Sequence, residues 1–193
     1  MTAFQSLCQQ LTTQSLPLRP LPLELARVRQ AAVTLLLREQ HSAAEILIIK
    51  RAERQGDPWS GHLALPGGRA DAKDANLIVT AARETWEEVG ISLNIEEHFI
   101  GWLETLLPVN SRLPQIEIAP LLAIAPANVE LQLNEEVAAA FWLPVQELQA
   151  TGLSEVYRLP LGETILKYPA YPSPYGPIWG ITERILTAFL GLL

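Results

Sequence analysis

Arg83, Glu84, Glu87 and Glu88 fall within six positions of one another in RETWEE, downstream of a Pro66-Gly67-Gly68 turn. Carboxylates one helical turn apart repel each other. Either water screens a plain acidic face or a cation holds the group together. On an α-helix Glu84 and Glu88 stand one turn apart with Glu87 beside them, all within an arc of roughly 100°. Ile78, Ala81, Ala82, Thr85 and Val89 occupy another arc, which is expected to face the core. The helix is thus predicted to bury one side and to project three carboxylates from another. Such an oxygen set suits Mg2+ or Mn2+. Arg83, four positions before Glu87, is placed to hold that carboxylate in one orientation. Glycines in the upstream turn let the backbone approach a ligand, so a carbonyl there can join the metal shell. E-x-x-E-E alone reads as a solvated acidic face. Arg83, Gly90 and the glycine turn shift the reading towards a cation.

These residues need elements to position them. Residues 75–89 read as the helix, with Asp74 as N-cap and Gly90 as the stop. AAVTLLL (31–37) and EILIIK (45–50) read as a hairpin of partly buried strands. RAERQGDPWSG is a loop, and HLALPGG a short strand ending in the glycine turn. HFIGWLETL, IEIAPLLAIA and AAAFWLP are further strand candidates, and PVQELQA is a short helix starting at Pro144. YPAYPSPYGP (168–177) is too proline-rich for regular structure, and 182–193 reads as a closing helix capped by the Trp179-Gly180-x-Thr182 turn. Phe4, Leu7, Cys8 and Leu11 stand at helical spacing, ahead of a proline-punctuated connector. The expected division is 1–27, a helix and proline-rich connector, and 28–193, the main domain. Strands and helices mix irregularly, which indicates an α/β or α+β class.

Bulk composition narrows the function. The 193 residues are 49% apolar and 18% charged, enough for a core and unlike a disordered chain. A net charge of -7 disfavours a polyanion, so nucleic acid is not an expected partner. Cys8 is alone, so neither an intrachain disulfide nor a cysteine zinc site is expected. The N-terminus lacks the basic start and apolar run of a signal peptide. The longest apolar segments fall short of the roughly 20 residues that span a bilayer. The expectation is a soluble cytoplasmic protein without a membrane partner.

The segment from Gly68 to Ile91 resembles the Nudix box, G-x5-E-x7-R-E-U-x-E-E-x-G-U with U bulky and apolar. Gly68, Arg83, Glu84, Glu87, Glu88, Gly90 and Ile91 match it. Asp74 stands where the box has its first glutamate, one extra residue separates it from Arg83, and Thr85 replaces the apolar U. The aspartate and the longer spacing resemble the coenzyme A pyrophosphatase branch, whose pattern Thr80 and Ala81 also match. IIKRAERQGDPWSGHLALPGG is similar to the segment before the box in that branch, through Arg51 and Gly61. Asp57 replaces a basic residue usual there, and Leu65 a phenylalanine. NEEVAAAFWLPVQEL and GPIWGITERIL are similar to later segments, so the resemblance runs over 28–190.

The resemblance implies an α/β; Nudix-type α/β/α sandwich with a mixed β-sheet. It implies metal-dependent hydrolysis of a nucleoside diphosphate linked to another moiety. Coenzyme A would give 3′,5′-ADP and phosphopantetheine. ADP-ribose or a nucleoside triphosphate is the alternative substrate, and a non-catalytic nucleotide-binding domain the alternative class. Gly68, Glu84, Glu87 and Glu88 are the expected metal ligands. Glu87 or Glu136 is the expected general base. Arg51 and Arg69 are candidates for the substrate phosphates. Trp59, His62 and Tyr171, taken as loop residues, are candidates for the pocket edge. The closing helix, with Ile185, Leu186, Phe189 and Leu190, is expected to be core or a homodimer contact.

Overall fold

The computed structural model describes residues 2–19, 21, 29–57, 59–108 and 115–193. Most of the proline-rich connector, and with it the 27/28 boundary, lies outside the described residues. Helix α1 (Ala3–Gln14) opens the chain, and its Phe4 and Leu11 are buried in the core. Strands β1 (Arg29–Gln40) and β2 (Ala43–Arg51) form the expected hairpin, longer than the apolar runs alone suggest. They pair only near the turn, from Leu37–Ile46 to Gln40–Ala43. Beyond that point they diverge. Short strands β3 (Leu63–Ala64) and β4 (Gly67–Arg69) fill the gap, β3 on β2 and β4 on β1. The glycine turn is therefore set inside the sheet, and Thr34 N donates to Pro66 O at 2.7 Å.

Helix α2 (Leu77–Val89) follows, then α3 (Ile95–His98) and β5 (Phe99–Trp102). Strand β6 (Ile116–Ile124) runs parallel to β1, while β7 (Val137–Pro144) runs antiparallel to β2. The seven strands make one mixed sheet, with β6 and β5 beyond β1 and with β7 beyond β2. Alternation along the strands sends Leu35, Leu37, Ile46 and Ile48 to one face. That face packs against α1, against α4 (Val145–Thr151) and against α5 (Gly180–Leu190). Leu36, Leu47, Ile49 and Leu121 go to the other face, under Ile78, Ala81 and Val89 of α2. This is the α/β/α sandwich with a mixed sheet.

A separate three-stranded sheet joins β8 (Glu155–Leu161), β9 (Thr164–Tyr171) and β10 (Ile178–Trp179). It corrects the expectation that 168–177 holds no regular structure, since β9 runs to Tyr171. Proline costs a strand its ladder donor. Pro169 is tolerated because β10 pairs only with Ala170 and Tyr171, which leaves Pro169 a single neighbour strand, β8. Among the described residues, no helix is long and apolar enough to cross a membrane.

Candidate active site

Helix α2 begins two residues later than the sequence suggests. Its N-cap is Asn76, whose Oδ1 accepts from Ile78 N at 2.9 Å and Val79 N at 3.2 Å. Asp74 is not the cap; its side chain turns inward and is 6% exposed. There it accepts Arg83 Nε at 3.1 Å and Nη2 at 2.9 Å, Thr80 Oγ1 at 2.9 Å and Asp71 N at 2.9 Å. The paired Arg83 guanidinium, above all, holds its carboxyl down at about 2. Asp74 and the other carboxylates raise Arg83 further above its ordinary value. The remaining reach of Arg83 goes to the acids: Nη1 donates to Glu84 at 2.8 Å and to Glu87 at 3.0 Å, while Nη2 also bonds Arg69 O at 3.1 Å. The predicted contact between Arg83 and Glu87 is present.

The three helix carboxylates are not equivalent, which corrects their expected shared outward face. Glu87 is exposed, with 50% of its side chain open to solvent. Glu84 is half-buried, and burial pushes its carboxyl up despite Arg83. Glu88 is 2% exposed and reaches back to the glycine turn, where Oε2 accepts Gly67 N at 2.8 Å. Burial pushes Glu88 up to about 8, against the pull of that N–H. A Cβ on Gly68 would lie 2.5 Å from the Glu84 carboxyl carbon, so glycine alone lets this acid sit on the turn. On Gly67, at φ +150°, a Cβ would strike Ala32 O. Beneath the acids Thr85 is fully buried, its hydroxyl 2.9 Å from Thr34 Oγ1 and 2.7 Å from Ala81 O. The polar residue at the apolar box position is thus hydrogen-bonded into the core side of α2.

The loop ahead of β7 is sewn to the end of α2. Gln132 N bonds Val89 O at 2.9 Å and Asn134 N bonds Glu88 O at 3.3 Å. This brings Glu136 to the carboxylates, where its charge helps to raise both Glu84 and Glu88. Arg54 Nη1 holds Glu136 at 2.9 Å, a contact that spacing along the chain does not predict. Arg51 ends β2 close enough to Glu88 to favour its ionised form. Its Nη2 pairs with Asp57 at 2.9 Å, and its buried Nε–H has no partner among the described residues. Burial would raise Asp57, but the Trp59 N–H at 3.0 Å and Arg51 outweigh it and hold it low. Burial also holds the nearby His62 below its ordinary value. Trp59 is half-buried beside Asp57, and Arg69 is exposed at the end of β4. Tyr171 is not a loop residue: it ends β9, is 4% exposed, and bonds Thr187 Oγ1 at 3.0 Å in the core under α5. Thr182 likewise does not cap α5, because its hydroxyl bonds Leu63 O at 3.1 Å.

The donor set fits a hard divalent cation. The Glu84 carboxylate sits against Gly68, and Glu88 is buried as an acid with other acids beside it. Among the described residues no group of three or more acids, histidines or cysteines stands in metal-holding geometry. Glu84 and Glu87 are turned onto Arg83.

The NUDIX domain model matches residues 28–160. The chain belongs to the Nudix family. An uncharacterised Nudix hydrolase, NudL, of Yersinia pestis (strain Pestoides F) is 35% identical over 144 residues, covering 73% of this chain and 68% of that protein. An uncharacterised protein of Schizosaccharomyces pombe is 40% identical over 111 residues, covering 55% of this chain. The match spans only 34% of that longer protein. The crystal structure of a MutT/nudix family protein from Enterococcus faecalis superposes with a TM-score of 0.58. It is 16% identical and covers 96% of this chain and 68% of that one, a likeness of fold. Nudix hydrolases generally use divalent cations such as Mg2+ or Mn2+.

Proposed function

We propose that the chain is a metal-dependent pyrophosphohydrolase acting on a nucleoside diphosphate linked to another moiety, with coenzyme A or a derivative as substrate. The products would be 3′,5′-ADP and the (acyl)phosphopantetheine. The observation that carries the hydrolase reading is the seating of Glu84 against Gly68 together with the Glu88 bond to Gly67 N. Helix acids and glycine turn meet where β4 joins the sheet. The coenzyme A reading is supported by Asp74 and Thr80, which match the branch pattern and bond each other at 2.9 Å.

Glu84, Glu87, Glu88 and the Gly68 carbonyl would hold Mg2+ or Mn2+. When bound, such cations neutralise the anhydride's charge and lower the pKa of a coordinated water. Arg83 orients Glu84 and Glu87 from the Asp74 side. Glu87, or Glu136 in its ion pair with Arg54, would accept the water's proton. Arg51 and Arg69 would receive phosphate oxygens, and Trp59 borders the pocket.

Asp57 favours a second substrate reading. It occupies Arg51 where the branch carries a basic residue, so a substrate without an extra phosphate, such as ADP-ribose, suits this corner. The test is product release from coenzyme A, acetyl-coenzyme A, ADP-ribose, NADH, diadenosine polyphosphates and nucleoside triphosphates, with Mg2+ and with Mn2+. Preferred release of 3′,5′-ADP from coenzyme A supports the first reading. Preferred cleavage of ADP-ribose selects the second. No turnover of any compound by a metal-binding chain would favour a nucleotide-binding domain.

A further inference from the structure

Four rings gather beside the Arg51 corner, on elements that carry none of the box residues. Trp179 of β10 stacks on Tyr157 of β8, with centroids 3.9 Å apart and planes 11° apart. His62 meets Trp179 edge-on at 4.8 Å, and Tyr168 of β9 leans on it at 5.1 Å. Such pairs stabilise each other beyond their buried area. Yet all four rings stay partly exposed, and Tyr157, Tyr168 and Trp179 join none of the buried core clusters. They form an aromatic wall at the surface, with Tyr157 and Trp179 stacked, Tyr168 tilted and His62 edge-on.

The wall begins where the charged site ends. Arg51 N donates to His62 O at 3.0 Å, continuing the ladder of Lys50–Leu63 and Ile49–Ala64. Cross-strand partners send their side chains to the same face. His62 therefore shares a face with Arg51, and both Arg51 and Asp57 act on it electrostatically. Arg51 in turn acts on Glu88. The chain of neighbours runs from Glu88 through Arg51 to His62 and on to Trp179 and Tyr157. No side-chain hydrogen bond engages the His62 ring among the described residues, and the ring is partly exposed.

We infer that Tyr157 and Trp179, with His62 at their edge, form the subsite for the substrate's nucleobase, with the diphosphate on the Arg51 side. This rests on the pyrophosphohydrolase reading above. The physical case is that a base gains from stacking on aromatic rings whatever its hydrogen-bonding pattern. The competing role for the rings is to fasten the β8–β9 hairpin to the body.

The test titrates ADP into the full chain without added metal, following tryptophan fluorescence, with ribose 5-phosphate as the base-free probe. Tyr157→Leu keeps apolar bulk for the hairpin and removes the ring, while Tyr157→Phe restores the ring. ADP binding should weaken about tenfold in Tyr157→Leu and recover in Tyr157→Phe. Ribose 5-phosphate binding should not change. For a cleaved nucleoside diphosphate, KM should rise about tenfold in Tyr157→Leu with kcat within about twofold. Trp179→Phe should lose most of the ADP-induced quench. Unchanged ADP affinity in Tyr157→Leu would overturn the subsite. So would equal weakening of ADP and ribose 5-phosphate, which marks a loosened hairpin. If the wild type cleaves no diphosphate at all, the hydrolase reading fails, while the ADP titration still decides the subsite.

Discussion

Arg83 grips Asp74 with two near-parallel hydrogen bonds, Nε to Oδ1 at 3.1 Å and Nη2 to Oδ2 at 2.9 Å. The grip leaves Nη1 facing Glu84 and Glu87. Asp74 is thereby the anchor of the arginine that orients the acids.

Asp74→Asn should cost on the order of 2 kcal/mol near neutral pH, matching a carboxyl drawn from 3.8 to about 2. The urea midpoint reads this directly. Because the folded value is depressed, the contribution is complete above the unfolded value of 3.8. It fades as pH falls through about 2. The gap between wild type and variant should therefore close between pH 3.8 and about 2. A gap of equal size at both ends of that window would falsify the ion-pair account.

Gly68→Ala probes the seat of Glu84. The added Cβ would come within 2.5 Å of that carboxyl carbon. The acid end of a flexible side chain can swing away, so the melting temperature should move little. On the proposed metal role of Glu84, displacing its carboxylate oxygen by about 1 Å should lower hydrolysis on the order of 10²-fold. Wild-type turnover in Gly68→Ala would remove Glu84 from the site.

Glu88→Gln separates stability from activity. The amide oxygen can still accept Gly67 N, and the burial cost that pushes the acid up to about 8 disappears. Stability should hold or rise, while hydrolysis falls by roughly 100-fold. Glu87→Gln, on an exposed side chain, should leave the melting curve unchanged. A Glu88→Gln chain that melts early yet hydrolyses normally would make Glu88 purely structural.

Thr85→Val should destabilise by about 1 kcal/mol, because it leaves the buried Thr34 hydroxyl only a 3.5 Å contact with Ala81 O. Replacing Thr34 and Thr85 together by valine should be nearly neutral, since no orphaned hydroxyl remains. A double-mutant cycle in a denaturant titration measures the difference. Additive losses would show that the two hydroxyls do not act as a pair.

Much of the site was legible because its rules are local. Helical spacing alone predicts the Arg83–Glu87 contact, the burial of Thr85 with Ile78, Ala81 and Val89, and the Gly90 stop, where φ is +72°. Apolar runs predict β1, β2, β6 and β7. Each of these depends on neighbours within a turn or along a strand, so sequence order carries the information. The N-cap shows where that ends. Asp74 and Asn76 are both good caps by type. The Arg83 guanidinium, with Thr80 Oγ1 and Asp71 N, holds Asp74 inward, and the cap falls to Asn76. The same holds for the parting of β1 and β2 that seats the glycine turn, for the inward turn of Glu88, and for Arg54 on Glu136. Tyr171, in a proline-rich stretch that looks like loop, is buried because β9 carries it under α5. These contacts join residues from 9 to 82 positions apart. Sheet register and strand order decide them, and neither is encoded in the spacing of the residues that meet.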